Sequence, residues 1–220
     1  MTHFSDGVRA GRNFANNGTA NQPGVYMSPI NVYDVVPAAL VTNGICAQQT
    51  ITGAANAVIN GSLASGGVAT LDVPRNVIVD AAGAATAVLT VFGTDAYGIS
   101  MSEAITLNGT TAVAGKKAFK TITRIASSAT ATDIFVGTGD VFGLPIRANS
   151  RNYVQTAWNG AFVTTGTFAA ADATAATTTT GDVRGTFAPA DAADATKRLT
   201  LWVNVFDDDT QVGLYGVTQA

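Results

Sequence analysis

Between Ile99 and Leu107 the chain alternates, with Ile99, Met101, Ile105 and Leu107 on one parity and Ser100, Ser102 and Thr106 on the other. Successive side chains of an extended chain point to opposite faces, so a period of two marks a strand with one face buried. Thr86 to Phe92, upstream, is an apolar run rich in Val and Leu, and Gly93 to Gly98 is a turn cluster. Asn108-Gly109, downstream, tolerates positive φ at both central positions of a type I′ turn. Phe119, Ile122 and Ile125 then mark a third strand, edged by Lys116, Lys117, Lys120 and Arg124. Together, Ala84 to Ile125 reads as a β-meander, and the basic residues as a solvated or carboxylate-facing sheet edge.

The rest of the chain keeps to this pattern. Asn43-Gly44 and Asn159-Gly160 are hairpin signals, and Pro74 splits the runs Val68 to Val73 and Asn76 to Val79, which points to an edge, a bulge or a change of sheet. Gly137-Thr138-Gly139-Asp140 invites a phosphate-loop reading, but no helix and no GK[ST] ending follows, so a turn between two strands accounts for it. Ala169 to Thr180 is a low-complexity tract read as an exposed loop, and Pro189 to Thr196 as another. Leu199, Leu201, Val203 and Val205 alternate with Thr200, Trp202, Asn204 and Phe206; both faces of that strand are largely apolar, which places it centrally or at an interface. No amphipathic helical period and no fixed-length repeat is present. The expected fold is all-β, an antiparallel sandwich or barrel built from hairpins. It has an extended N-terminal arm over residues 1–29 and a domain over 30–220, with a split into two subdomains near 148 as an option.

Residues 1–29 are polar, Gly- and Asn-rich and aperiodic. Their apolar anchors are too irregularly spaced to bury a face of their own, which makes an arm along a neighbouring protein the functional reading and a frayed terminus the plain one. Phe4, Val8, Arg9, Arg12, Phe14 and Tyr26 are the contact candidates on that arm.

Charged residues make up only 12% of the 220-residue chain, about half of the ~25% usual for a soluble domain. With 47% apolar residues and a mean hydropathy of +0.24, the chain is expected to hide part of its surface in a homo-oligomer or a larger assembly. The net charge of −3 and the lack of a basic run argue against a nucleic-acid partner. No apolar run is long enough for a membrane helix, and no secretory signal is expected near Asp6, Arg9 and Arg12.

Catalytic and metal chemistry find few residues to work with. Cys46 is the lone cysteine and reads as a small core hydrophobe; His3 is the lone histidine, close to the N-terminus. Glu103, the only glutamate, falls on the apolar parity of its strand, where pairing with Lys120 or Arg124 or a place at a subunit contact suits it. Asp95 and Asp140 lie in turn signals. Asp207-Asp208-Asp209 offers oxygen ligands without the spacing of a calcium loop. No catalytic residue, metal or cofactor is expected.

Three strings, GTDAYGISMSEAITLNGTTAVAGKKAFKTITRI, VGTGDVFGLPIR and DVRGTFAPADAADATKRLTLWVNVF, resemble segments of virion structural proteins of tailed bacteriophages over Leu71 to Phe206. Within that group the chain is most similar to capsid decoration, or cement, proteins. The resemblance implies a β-rich, non-enzymatic homo-oligomer, a trimer by preference. It would bind the major capsid protein on the outer capsid surface, lay its arm over neighbouring subunits and stabilise the mature head. The alternative is a tail, fibre or baseplate component, with Tyr153 and Trp158 as a cluster for host-surface glycans.

Overall fold

The computed structural model describes residues 12–13, 26–27, 30–162, 165–172 and 174–204. The chain is all-β: apart from a single 3₁₀ turn at Arg151–Tyr153, no helix occurs among the described residues. The strands of the first half are β1 (Arg12–Asn13), β2 (Tyr26–Met27), β3 (Ile30–Val35), β4 (Cys46–Ile51), β5 (Ala64–Ser65), β6 (Val68–Ala81), β7 (Val88–Thr94) and β8 (Ser100–Thr106). Those of the second half are β9 (Val113–Ala114), β10 (Phe119–Ser127), β11 (Ala131–Gly143), β12 (Val154–Trp158), β13 (Ala161–Phe162), β14 (Thr167–Ala169), β15 (Thr186–Ala188) and β16 (Leu199–Asn204).

Ten of these strands form one large curled antiparallel sheet in the order β14-β15-β11-β6-β10-β7-β8, with β4 on β11 and both β5 and β9 on β6. A second sheet runs β13-β12-β16-β3, and β1 pairs only with β2. The architecture is of the β-sandwich or barrel type. One hydrophobic cluster fills the large sheet, with Leu89, Val91, Phe119, Ile122, Ile125, Ile134 and Val136 around Ile45 and Cys46. A second joins the two sheets through Phe142, Leu144, Trp158, Phe187, Leu199, Leu201 and Val203, with Tyr33 and Val35 packed against it. The second cluster thus draws on both sides of residue 148.

The expected meander is corrected. β7 and β8 do pair, but β10 returns to the opposite side of β7 and lies between β6 and β7. Gly93 permits this, since a Cβ there would overlap the Thr121 carbonyl of β10. Periodicity identifies a strand; the neighbour it takes is decided by such close approaches. β10 is consequently internal, and the basic residues on it and in the turn before it do not form an edge. Lys117 is fully buried, Lys120 Nζ donates to the Leu71 and Asp72 carbonyls, and the Arg124 guanidinium lies 3.5 Å from the centre of the Phe92 ring.

Glycine-rich turns divide into those that turn and those that do not. Asn159 and Gly160 both have positive φ, 51° and 80°, as a type I′ hairpin between β12 and β13 requires. At Asn108-Gly109 only Gly109 has positive φ, and the turn closes locally with Thr111 N–H donating to the Asn108 carbonyl. The expected turn at Gly137 to Asp140 is absent. β11 runs straight through these residues, bulging between Thr138 and Phe142, because Val41 and Thr42 cross against the backbone of Gly137 and the Asn76 amide lies against Gly139. Gly137→Ala is expected to destabilise the fold by about 1–3 kcal/mol, as overpacking does, in urea titrations monitored by fluorescence. Pro74 lies in one continuous fourteen-residue strand, at the step where the β10 partners of β6 jump from Arg75 to Thr70. A bulge is thus the device that accommodates a residue without an N–H.

Cys46 is fully buried, and burial pushes its thiol up to about 12. A thiol reagent added to the native protein is expected to leave it unmodified, with stoichiometric labelling only after unfolding.

Candidate functional site

Phe4, Val8, Arg9 and Phe14 lie outside the described residues. Arg12 and Tyr26 belong to the short antiparallel ladder β1-β2, in which Arg12 is opposite Met27 and Asn13 opposite Tyr26. Asp207-Asp208-Asp209 and Val205 also lie outside the described residues.

The carboxylates singled out by sequence form internal braces. Glu103 does not pair with Lys120 or Arg124; its carboxylate is buried and accepts the backbone N–H groups of Lys116, at 2.5 Å, and Lys117, at 3.1 Å. The apolar parity of β8 carried it inward, and the chain turning into β10 presents two amides there. Desolvation raises its pKa, against the two amides and the nearby lysine charges, which lower it. Asp182 is similarly buried, accepting from the Ala118 and Arg184 amides, with its pKa also raised by desolvation. Lys117 sits between these groups, and its Nζ donates to the Thr177 carbonyl at 2.7 Å. Burial lowers its pKa, opposed by the charges of Glu103, Asp182 and Asp172.

Two ion pairs add to this: Arg184–Asp95 is buried on both sides, and Arg75 is buried against a partly exposed Asp140. Asp95 accepts the Tyr97 and Ile99 amides through Oδ1 and Arg184 Nη1 at 2.5 Å through Oδ2. The Arg184 guanidinium lies 4.6 Å from the centre of the Tyr97 ring. Arg75 donates to the Gly139 and Ala38 carbonyls and to Asp140 at 2.5 Å, fastening β6, β11 and the segment after β3 to one another. The low-complexity tract is the loop expected, yet it is strapped down: the Thr178 carbonyl accepts from the β8 amide of Ala104, and Lys117 holds Thr177. Asp182 and Arg184 carry no local signal in the sequence, and Lys117 reads as an edge residue there, since their partners lie about 60 to 90 residues away in the chain.

Beside this loop is a cleft of about 270 Å³ lined mainly by small residues, among them Gly115, Ala169, Ala170, Gly185 and Ala188. Lys116 and Asp182 also border it; the Asp182 carboxylate oxygens are already engaged by amides. No group of three or more His, Cys, Asp or Glu residues placed to hold a metal ion occurs among the described residues. No helix among the described residues is long and apolar enough to cross a membrane.

The least ordinary surface is the outer face of the four-stranded sheet. Along β3, Tyr33 and Val35 point into the core, so Ile30, Val32 and Asp34 point out. Ile30 and Val32 are 59% and 60% exposed. Trp202 is opposite Val32 on β16, between the inward Leu201 and Val203, and its ring lies 5.4 Å from that of Phe162, which is 70% exposed. An apolar stripe therefore runs over this face from Phe162 of β13 to Trp202 of β16 and on to Val32 and Ile30 of β3, with the exposed Gln155 of β12 opposite Trp202. The sequence signal for it was the strand Leu199 to Phe206, apolar on both parities. Trp158, by contrast, is buried in the second cluster, and the core is where its apolar bulk belongs. No protein-family model matches the chain, and no curated protein or solved structure matches it.

Proposed function

We propose that this chain is a structural component of a tailed-bacteriophage virion, a decoration protein that binds the outer capsid surface as a homo-oligomer and stabilises the mature head. The observation that carries the reading is the division of labour among its side chains. Charge is directed inward in the braces Arg75–Asp140, Arg184–Asp95 and Lys117 between Glu103 and Asp182, while the outer face of the four-stranded sheet carries an exposed apolar stripe. Such a molecule is rigid and adhesive, and the carboxylates described above are committed to backbone amides and cations. A ligand that binds the mature shell and not its ruptured form stabilises the shell by mass action.

The test is to add the purified chain to shells stripped of it and heat them. The reading expects saturable binding and a higher temperature of genome release; shells that neither bind the chain nor change their release temperature would remove it. A second reading, a tail, fibre or baseplate component, draws on the tilted ring pair of the exposed Phe162 and the half-buried Trp202, aromatic surface on which a sugar could stack. Under it, Phe162→Ala would abolish adsorption to host glycans and leave shell stability unchanged.

A further inference from the structure

We infer that the apolar outer face of the β13-β12-β16-β3 sheet is a contact between two copies of this chain, packed sheet on sheet about a two-fold axis. The inference rests on the decoration reading only for the setting in which such a contact would matter; its own basis is the face itself.

One face of an antiparallel sheet normally meets the core while the other is polar. Here Leu199, Leu201 and Val203 meet the core, and the opposite face still carries Phe162, Trp202, Val32 and Ile30 in continuous neighbourhood. The exposed parts of these side chains amount to roughly 400 Å² per copy, taking about 150–250 Å² for a whole aromatic side chain. That is within the ~300–600 Å² of the largest apolar patch on a typical monomer, and such patches are often functional.

Charge selects the occupant. Among the described residues, the charged side chains beside the stripe are Asp34 and Arg198, which pair with each other at 2.6 Å, and Asp34 also accepts from the Thr200 hydroxyl at 3.0 Å. A neutralised border brings no like charges together when two identical faces meet. Among the described residues it also supplies no unpaired cation for phosphate or an anionic lipid headgroup. Two such faces stack as aligned sheets about 10 Å apart.

Area sets the strength. Two stripes bury about 800 Å² of apolar surface, less than the ~1,200–2,000 Å² of a stable interface, so the contact is weak in dilute solution. It becomes effective where copies are held side by side, since linkage converts each further contact into an intramolecular one. A shell surface provides that setting.

The experiment is sedimentation of the full-length chain at concentrations rising into the millimolar range, for the wild type, Val32→Glu, Val32→Lys and Phe162→Ser. All substituted positions are exposed, and circular dichroism verifies folding. The expected result is reversible association of the wild type, weakened more than tenfold in each variant. Mixing the Val32→Glu and Val32→Lys chains restores it, because the two-fold axis brings position 32 of one copy close to the same stripe of the other. Three results overturn the inference: a wild type that stays at a single mass throughout, association indifferent to all three substitutions, or unchanged association with loss of shell binding, which would seat the shell protein on this face. Sedimentation of free protein does not involve the virion. Its failure therefore leaves the decoration reading standing, and a chain absent from virions leaves the contact standing.

Discussion

Replacing Lys117 with methionine is expected to cost the folded chain about 3 kcal/mol or more at neutral pH, the scale on which removal of one partner strands a buried charge. Lys117 is fully buried, and its ammonium supplies the positive charge that Glu103, Asp182 and Asp172 share. Methionine keeps the aliphatic stem and the backbone N–H that Glu103 accepts; it removes the charge and the bond to the Thr177 carbonyl. The loss has a pH signature. Glu103 and Asp182 have native pKa values raised above the unfolded ones, so their contribution is fully present below the unfolded values near 4 and is lost as pH rises through the native ones. Lys117 has the opposite shift, and its contribution is lost as pH falls through its lowered native value. Without the lysine the two carboxyls rise further, so the deficit of Lys117→Met shrinks as the pH is lowered from 7 towards 5. Urea titrations of both proteins at the two pH values measure this. A deficit under 1 kcal/mol, or one that grows towards acid, would show that the lysine is not their counter-charge.

The second large effect belongs to Asp95 and Arg184. Arg184→Met strands a carboxylate that keeps two amides, whereas Asp95→Leu strands a guanidinium whose one hydrogen bond goes to that carboxylate and also frees the Tyr97 and Ile99 amides. Each single change is expected to cost about 3–5 kcal/mol. The double variant has no buried charge left at this position, so it should be less destabilised than the sum of the singles, with a coupling of about 1–3 kcal/mol. Additive losses in a double-mutant cycle would mean that the two side chains contribute independently, against the close buried contact between them.

The strands themselves were legible where one face is buried. Ile99 to Leu107 and Leu199 to Val203 show their alternation directly, and Asn159-Gly160 announces its turn because few residues tolerate positive φ. Legibility ended wherever a residue answers to a distant one. Gly137 and Gly139 look like a turn, since a glycine required by the crossing of Val41 cannot be distinguished locally from one required by a turn. Lys117 looks solvated, as lysines usually are, until Asp182 arrives from 65 positions further along. The apolar stripe was half legible: Trp202 and its strand pointed to an interface, but Ile30, Val32 and Phe162 join it only through the pairing of β3 and β13 in one sheet.

The central claim concerns where the molecule works, and the most direct measurement is the number of copies of this chain per purified virion, relative to the major capsid protein. A decoration protein is expected at hundreds of copies, in a fixed ratio to the shell subunit. A handful to a few dozen would move the chain to the tail or its fibres. Absence from purified particles would contradict the virion assignment altogether.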